Sequence, residues 1–217
     1  MIMFTPNPRF RFLGRDGSPS DEAVIRETWV ENVYQIHPGD LRDTGILVDL
    51  GANIGSVAVY GASLGATVHA YEPEPENRAL LQQNLTDNGV ADRVHVHAAA
   101  VTDWLGTATI TPAHGNSRIN HDHSGVTVES ITLAQVFEDN GLAGCDVLKM
   151  DVEGSEYEII ASADLSTLAK IRYLTMEFDA APDQTAFGDM VTKIAKVFNT
   201  HIIGSPERGG YIYGRRY

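Results

Sequence analysis

The chain contains one cysteine, Cys145, so no intramolecular disulfide can form and a zinc site built on thiolates is not expected. No apolar run approaches the ~18 residues that cross a bilayer. The first residues, MIMFTPNPRFRFLG, interrupt their apolar character with Arg and Pro and lack a signal-peptide core. These absences make a reducing, cytoplasmic setting without a membrane partner the expectation. In that setting the sequon Asn84-Leu85-Thr86 carries no meaning beyond chance. Positive charge is scarce as well: 16 Lys and Arg against 29 Asp and Glu leave a formal net charge of −13. Affinity for nucleic acid comes largely from clustered Lys and Arg, so no nucleic-acid partner is expected. Arg208, Arg215 and Arg216 form a local basic group that reads as a solvated C-terminal hairpin.

What is present suits one α/β domain of 217 residues, 43% hydrophobic and 21% charged, with an N-terminal arm and helix over 1–40 and a core over 45–217. Residues 1–21 are rich in Pro, Gly and Arg and read as an irregular arm. Residues 22–34 space Val24, Trp29, Val30 and Val33 as an amphipathic helix. From there strands and helices alternate. Strands are expected at 45–50, 67–71, 93–98, 147–151 and 171–178, and helices at 54–64, 73–88 and 155–161. Residues 107–111 and 125–130 read as a β-pair around a polar loop, and Thr132 with Gln135 as a capping box. A helical stripe occupies 187–198, and 200–204 with 210–214 read as a closing hairpin. This order predicts a mostly parallel sheet covered by helices on both faces, with an antiparallel C-terminal strand. Ligands then gather outside the carboxyl ends of the strands.

The first strand ends in VDLGANIG, residues 48–55. A pyrophosphate approaches the backbone closely at the middle glycine of G-x-G-x-x-G, and Asn53 at that position obstructs it. No G-x-x-x-x-G-K-[ST] phosphate loop occurs. Asp49, just before the turn, suits a ligand carrying an ammonium group, and backbone N–H groups at the helix start suit its carboxylate. Glu72 closes the second strand in Tyr71-Glu72-Pro73, where an acid can accept both hydroxyls of a ribose. Lys149, Asp151 and Glu153 come at i, i+2 and i+4, so all three point to one side if strand geometry persists. Glu156 opens the following helix, and Glu177 closes the next strand.

VDLGANIG, YEP, LKMDVEGSE and MEF together resemble the FkbM-type S-adenosylmethionine-dependent methyltransferases, over about residues 31–178. KMDVEGSE is close to the family pattern K-[ID]-x-E-G-x-E. The resemblance implies a three-layer, Rossmann-like α/β fold on a mostly parallel seven-stranded sheet. It implies S-adenosyl-L-methionine as cofactor, with Asp49, Gly51, Asn53 and Gly55 in the cofactor turn and Glu72 as the ribose acid. Residues 97–101, centred on Ala99, fall where such enzymes contact adenine, and offer alanines where many place Asp or Asn. The implied activity is O-methylation of a hydroxyl on a sugar or small polyhydroxylated metabolite, an acceptor class that rests on the resemblance alone. Asp151 or Glu153 would orient or deprotonate the acceptor, with Lys149 and Glu177 completing the catalytic group. The competing account makes these side chains a buried ion-pair network that shapes the sheet edge.

Three other functions stand beside this one: N-methylation of a peptide, amine or base, a cofactor-binding module without catalysis, and a NAD-dependent oxidoreductase, disfavoured by Asn53. No metal is predicted, although Asp151, Glu153 and Glu177 offer oxygen ligands to a divalent ion. His121-Asp122-His123, in the loop 114–123, is a weaker candidate. That loop is expected to cover the acceptor pocket and lend it a His or Arg118. His95 and His97 alternate with valines and read as packed or edge residues. The expected partner is a small-molecule acceptor, and the N-terminal arm is placed to supply a homodimer contact or a pocket lid.

Overall fold

A sheet of seven strands runs through the computed structural model, which describes residues 1–41, 44–113, 118, 119 and 125–217. The chain opens with strands β1 (Ile2–Asn7) and β2 (Phe10–Gly14) and helix α1 (Pro19–Arg26). Then follow β3 (Ile46–Leu50), α2 (Ser56–Ser63), β4 (Thr67–Tyr71), α3 (Pro75–Asp87) and β5 (Val94–His97). Four short strands come next: β6 (Ala99–Thr102), β7 (Gly106–Thr111), β8 (Arg118–Ile119) and β9 (Val126–Thr132). The second half contains α4 (Leu133–Asp139), β10 (Cys145–Met150), α5 (Glu156–Ser162), α6 (Leu165–Leu168) and β11 (Ile171–Phe178). It closes with α7 (Gln184–Ile194), β12 (Phe198–Ser205) and β13 (Gly209–Arg216).

The large sheet has the order β5-β4-β3-β10-β11-β13-β12, parallel except for β13, which runs against both its neighbours. Its middle strands are apolar on both faces, as strands covered on two sides must be. Val48, Leu50, Leu148 and Met150 pack on Phe137 of α4, Ile159 of α5 and Ile194 of α7. On the other face Leu47 and Val147 pack with Val57 of α2, Leu81 of α3 and Phe12 of the N-terminal hairpin. The chain winds outward from β3 to β5 and then returns to β10 on the opposite side of β3. The winding therefore reverses between β3 and β10, where a sheet of this kind opens a crevice at its carboxyl ends. β6, β9, β7 and β8 form a separate small sheet beside that crevice. No helix among the described residues is long and apolar enough to cross a membrane.

The N-terminus departs from the sequence expectation. Residues 1–21 are a β-hairpin leading into α1, not an irregular arm. Asn7 turns the hairpin by accepting from Arg9 N and Phe10 N. The free edge of β2 then meets two asparagines of the α3 end: Asn84 bonds both N and O of Leu13, and Asn88 both N and O of Arg11. The sequon asparagine is thus wholly buried in a structural contact. The amphipathic helix expected over 22–34 is also divided. It leaves α geometry after Arg26, passes through a π-helical turn at Glu27–Glu31, and stops at Asn32 in the left-handed region (φ +48°).

Smaller features follow from local chemistry. Thr132 caps α4 by accepting from Gln135 N, but the Gln135 side chain turns to Asp139, so only half of the capping box forms. The helical stripe ends at Ile194, and Phe198 begins β12. His95 and His97 stand on the edge strand β5, where both rings stack on His69 and that of His97 also on Tyr71. Arg215 lies over the Tyr173 ring and pairs with Asp40 at 2.7 Å.

Candidate active site

The turn after β3 folds back over its neighbours. Gly51 N and Ala52 N both donate to Tyr71 O at the end of β4, at 3.0 and 2.9 Å. Gly51 has φ +76°, and a Cβ on it would lie 1.8 Å from Asp151 O, so only glycine fits between the two strand ends. Asn53 is left-handed as well (φ +50°), which its short amide side chain tolerates. Its backbone N donates to Glu72 Oε2 at 2.8 Å. Glu72 is almost fully buried and also accepts from Glu74 N at 2.8 Å. Burial nevertheless pushes its carboxyl up to about 7.

These residues line a cleft of about 610 Å³ together with the apolar side chains Ala99, Ala100, Val101, Ile110 and Ile119. Asp151 and Glu153 stand along it. Gly51, Asn53, Glu72 and Ala99 all line this cleft. Asp49 does not join them. It is wholly buried beneath the turn, 3.2 Å from Lys149 Nζ, and burial pushes its carboxyl up although Lys149 opposes this. The strand register sets Lys149 directly beside it. Gly55 is also off the cleft, at the start of α2, where a Cβ would press on Leu81 of α3.

Lys149 is 3% exposed and links the two strand ends. It donates to Gly51 O at 2.6 Å and approaches Asp151 Oδ2 at 3.7 Å. Burial alone would depress its ammonium, but Asp49 and Asp151 hold it above its ordinary value. Asp151 Oδ2 also accepts a 2.8 Å hydrogen bond from Tyr34, while its Oδ1 accepts none among the described residues. No motif marks Tyr34, which lies 117 residues from Asp151 in the chain.

Glu153 breaks the expected alternation. β10 ends at Met150 and Glu153 is left-handed (φ +59°), so it does not share a strand face with Lys149. The turn is held by Glu156, whose carboxylate accepts from Val152 N and Gly154 N. Burial, then Asp151, Asp179 and Glu177, push Glu153 up to about 8. Glu177 stands outside the cleft opposite Tyr211 and is also pushed up to about 8, by burial and then by Asp151 and Glu27. A second hollow, bordered by Trp104, Arg118, Glu153 and Glu158, adjoins the cleft, and Arg118 there pairs with Asp179 at 2.7 Å. Among the described residues no trio of His, Cys, Asp or Glu is arranged to hold a metal ion. His114 and His121-Asp122-His123 lie outside the described residues.

The strand order and the reversed β13 are those of the Rossmann-like methyltransferases. The magnesium protoporphyrin IX methyltransferase of Synechocystis PCC 6803, solved with S-adenosylmethionine bound, shares the fold with a TM-score of 0.54 at 13% identity, over 94% of this chain and 86% of that one. Residues 49–213 match the methyltransferase FkbM domain, and the chain belongs to that family. It is 27% identical over 191 residues to the 31-O-demethyl-FK506 methyltransferase FkbM of Streptomyces tacrolimicus, covering 72% of this chain and 74% of that one. It is 24% identical over 190 residues to the hexuronic acid methyltransferase AglP of Haloferax volcanii, covering 86% and 77%. The protein is an S-adenosylmethionine-dependent methyltransferase.

The cleft suits that cofactor on its own evidence. Asn53 Oδ1 is buried with no hydrogen-bond partner among the described residues, which leaves an acceptor for a ligand donor. The Glu72 carboxyl stands beside it, and the apolar wall at Ala99 suits a flat, uncharged ring system.

Proposed function

We propose that this methyltransferase acts on a hydroxyl group of a sugar or similarly small polyhydroxylated molecule, with Asp151 as the proton acceptor. Asn53 and Glu72 would hold the polar parts of the cofactor, and Ala99 with its neighbours the adenine. Residues 1–40 would cap the core 45–217 in one catalytic unit. When bound, the cofactor supplies an electrophilic methyl group on sulfur. A hydroxyl attacking that group must lose its proton, and a carboxylate within hydrogen-bond reach can take it. The observation that carries this reading is Asp151 itself: it stands at the switch point, its Oδ2 engaged by Tyr34 and Lys149 and its Oδ1 without a donor among the described residues. Lys149 is held charged by Asp49 and Asp151, so its ammonium stands beside Asp151 as a fixed positive group. Glu153, which lines the cleft and is pushed up to about 8, is mostly a neutral acid at pH 7 and can donate as well as accept. Such a group suits a hydroxyl-bearing acceptor. Of the two curated relatives, the one named for a 31-O-demethyl compound supports an oxygen acceptor, and the one named for a hexuronic acid supports a sugar-type acceptor.

The test is transfer of label from methyl-labelled S-adenosylmethionine to a panel of neutral sugars, uronic acids, polyketide alcohols, amines, peptides and nucleotides. Label should enter a neutral hydroxyl compound, with or without chelator. Labelling confined to amines or nucleotides would overturn the proposal.

Glu72 gives a second measurement. If its carboxylate accepts the ribose hydroxyls, binding favours the ionised form. Its carboxyl, pushed up to about 7 in the free protein, must then lose a proton on binding. Affinity for S-adenosylhomocysteine should be constant above that pH and fall by up to about tenfold per unit below it. Glu72→Gln should bind more weakly and flatten the profile. Calorimetric titrations from pH 8.5 to 5.5 measure both, and an unchanged slope in the variant would remove Glu72 from the site.

A further inference from the structure

The segment 33–36 crosses the sheet above Asp151 and is fastened there from three directions. Tyr173 of β11 donates to Tyr34 O at 3.1 Å, Tyr213 of β13 to Val33 O at 2.6 Å, and Tyr60 of α2 to Ile36 O at 3.1 Å. Two non-glycine residues flanking Tyr34, Asn32 and Gln35, are held in the left-handed region at φ +48° and +49°. Asn32 tolerates that region as the residue closing its helix, but Gln35 does not favour it, so its conformation is held by the surrounding contacts. The result is that Tyr34, 5% exposed, enters the site in one orientation, with its ring 5.4 Å from Lys149 Nζ and edge-on to Tyr211. Its hydroxyl ends 2.8 Å from Asp151 Oδ2.

We propose that Tyr34 is a positioning residue for Asp151: its hydroxyl occupies Oδ2 and fixes the carboxylate plane, so that Oδ1 is the oxygen presented to the acceptor. This rests on the assignment of Asp151 as proton acceptor. Lys149 by itself would not do this. It lies 3.7 Å from the same oxygen and is already engaged by Asp49 and by the carbonyls of Leu50 and Gly51. Without the tyrosine hydroxyl, Asp151 is free to rotate about χ1 and χ2 and to swing closer to the ammonium. A carboxylate displaced by about 1 Å from its partner can cost on the order of a hundredfold in rate.

Tyr34→Phe keeps the ring contacts and removes one hydroxyl. Turnover should fall about ten- to hundredfold, with the affinity for S-adenosylhomocysteine and the KM for cofactor unchanged. The loss should vanish in the background of Asp151→Asn, because the tyrosine acts through that carboxylate. An equal loss in both backgrounds would make Tyr34 a structural residue and overturn the proposal, as would wild-type turnover in Tyr34→Phe.

A measurement independent of turnover separates this from the assignment of Asp151. In protein labelled with 3-fluorotyrosine, the fluorine resonance absent from Tyr34→Phe should shift in Asp151→Asn, and further than that of any other tyrosine. If that resonance does not move, the contact is absent in solution and the positioning role fails. If it moves but turnover is indifferent to both substitutions, the contact is real and Asp151 is not the acceptor's base.

Discussion

Asp151→Asn should lower kcat by about a hundredfold to ten-thousandfold, the range that a positioned general base supplies. Asparagine has nearly the same shape, can still accept from Tyr34 through its amide oxygen, and leaves the backbone contact with Gly51 in place. What disappears is the negative charge and the capacity to take a proton. Cofactor affinity should stay within about threefold, since Asn53 and Glu72 stand on the other strand ends and are unaltered. The Lys149 ammonium loses one of two carboxylates but keeps Asp49, so it remains charged and the fold is retained. Steady-state kinetics with calorimetric titration of S-adenosylhomocysteine checks both quantities. Near-normal turnover would make the acids of this region structural.

A larger combined effect is expected from Gly51→Ala. The new methyl group would start 1.8 Å from Asp151 O and 2.9 Å from its carbonyl carbon, both backbone atoms that no side-chain rotation can move aside. The left-handed φ of +76° adds its own strain for any residue with a Cβ. Strain and overpacking together should cost about 2 to 5 kcal/mol. In a chain of this length that corresponds to a fall of roughly 5 to 15 °C in Tm. Relief of the clash must part the ends of β3 and β10, so cofactor binding should be lost with the stability. Gly89→Ala is the comparison. Its φ is +66°, but a Cβ there meets nothing within 4 Å, so it carries the conformational cost alone. A melting temperature for Gly51→Ala equal to that of Gly89→Ala would show that the two strand ends are not in contact.

The parts of this fold that could be read from sequence are those whose stability is local or uniformly apolar. β4 and β11 occupy the predicted residues 67–71 and 171–178, because strands covered on both faces are predominantly apolar and β-branched or aromatic, and are closed by turns. The glycine turn and Glu72 were legible for a different reason: their backbone requirements are written into single residues. The hairpin was not, since β2 is held by side chains of α3 more than seventy positions away. Tyr34 was invisible for the same reason. Asp49 and Glu153 illustrate a third case, in which the residue was noticed but its direction was not. Register with Lys149 draws one beneath the turn, and a left-handed backbone takes the other off the strand face. Period-two reasoning ends where the strand ends.

The two asparagines of the α3 end that hold β2 read nothing but main chain. Each offers one carbonyl and one amide group, and each is matched by the N–H and C=O of a single residue, Leu13 or Arg11. Those bonds are indifferent to which side chains Arg11 and Leu13 carry. A change in the exposed Arg11 side chain therefore leaves the docking bonds intact, whereas Leu13 is also fixed by packing against the core.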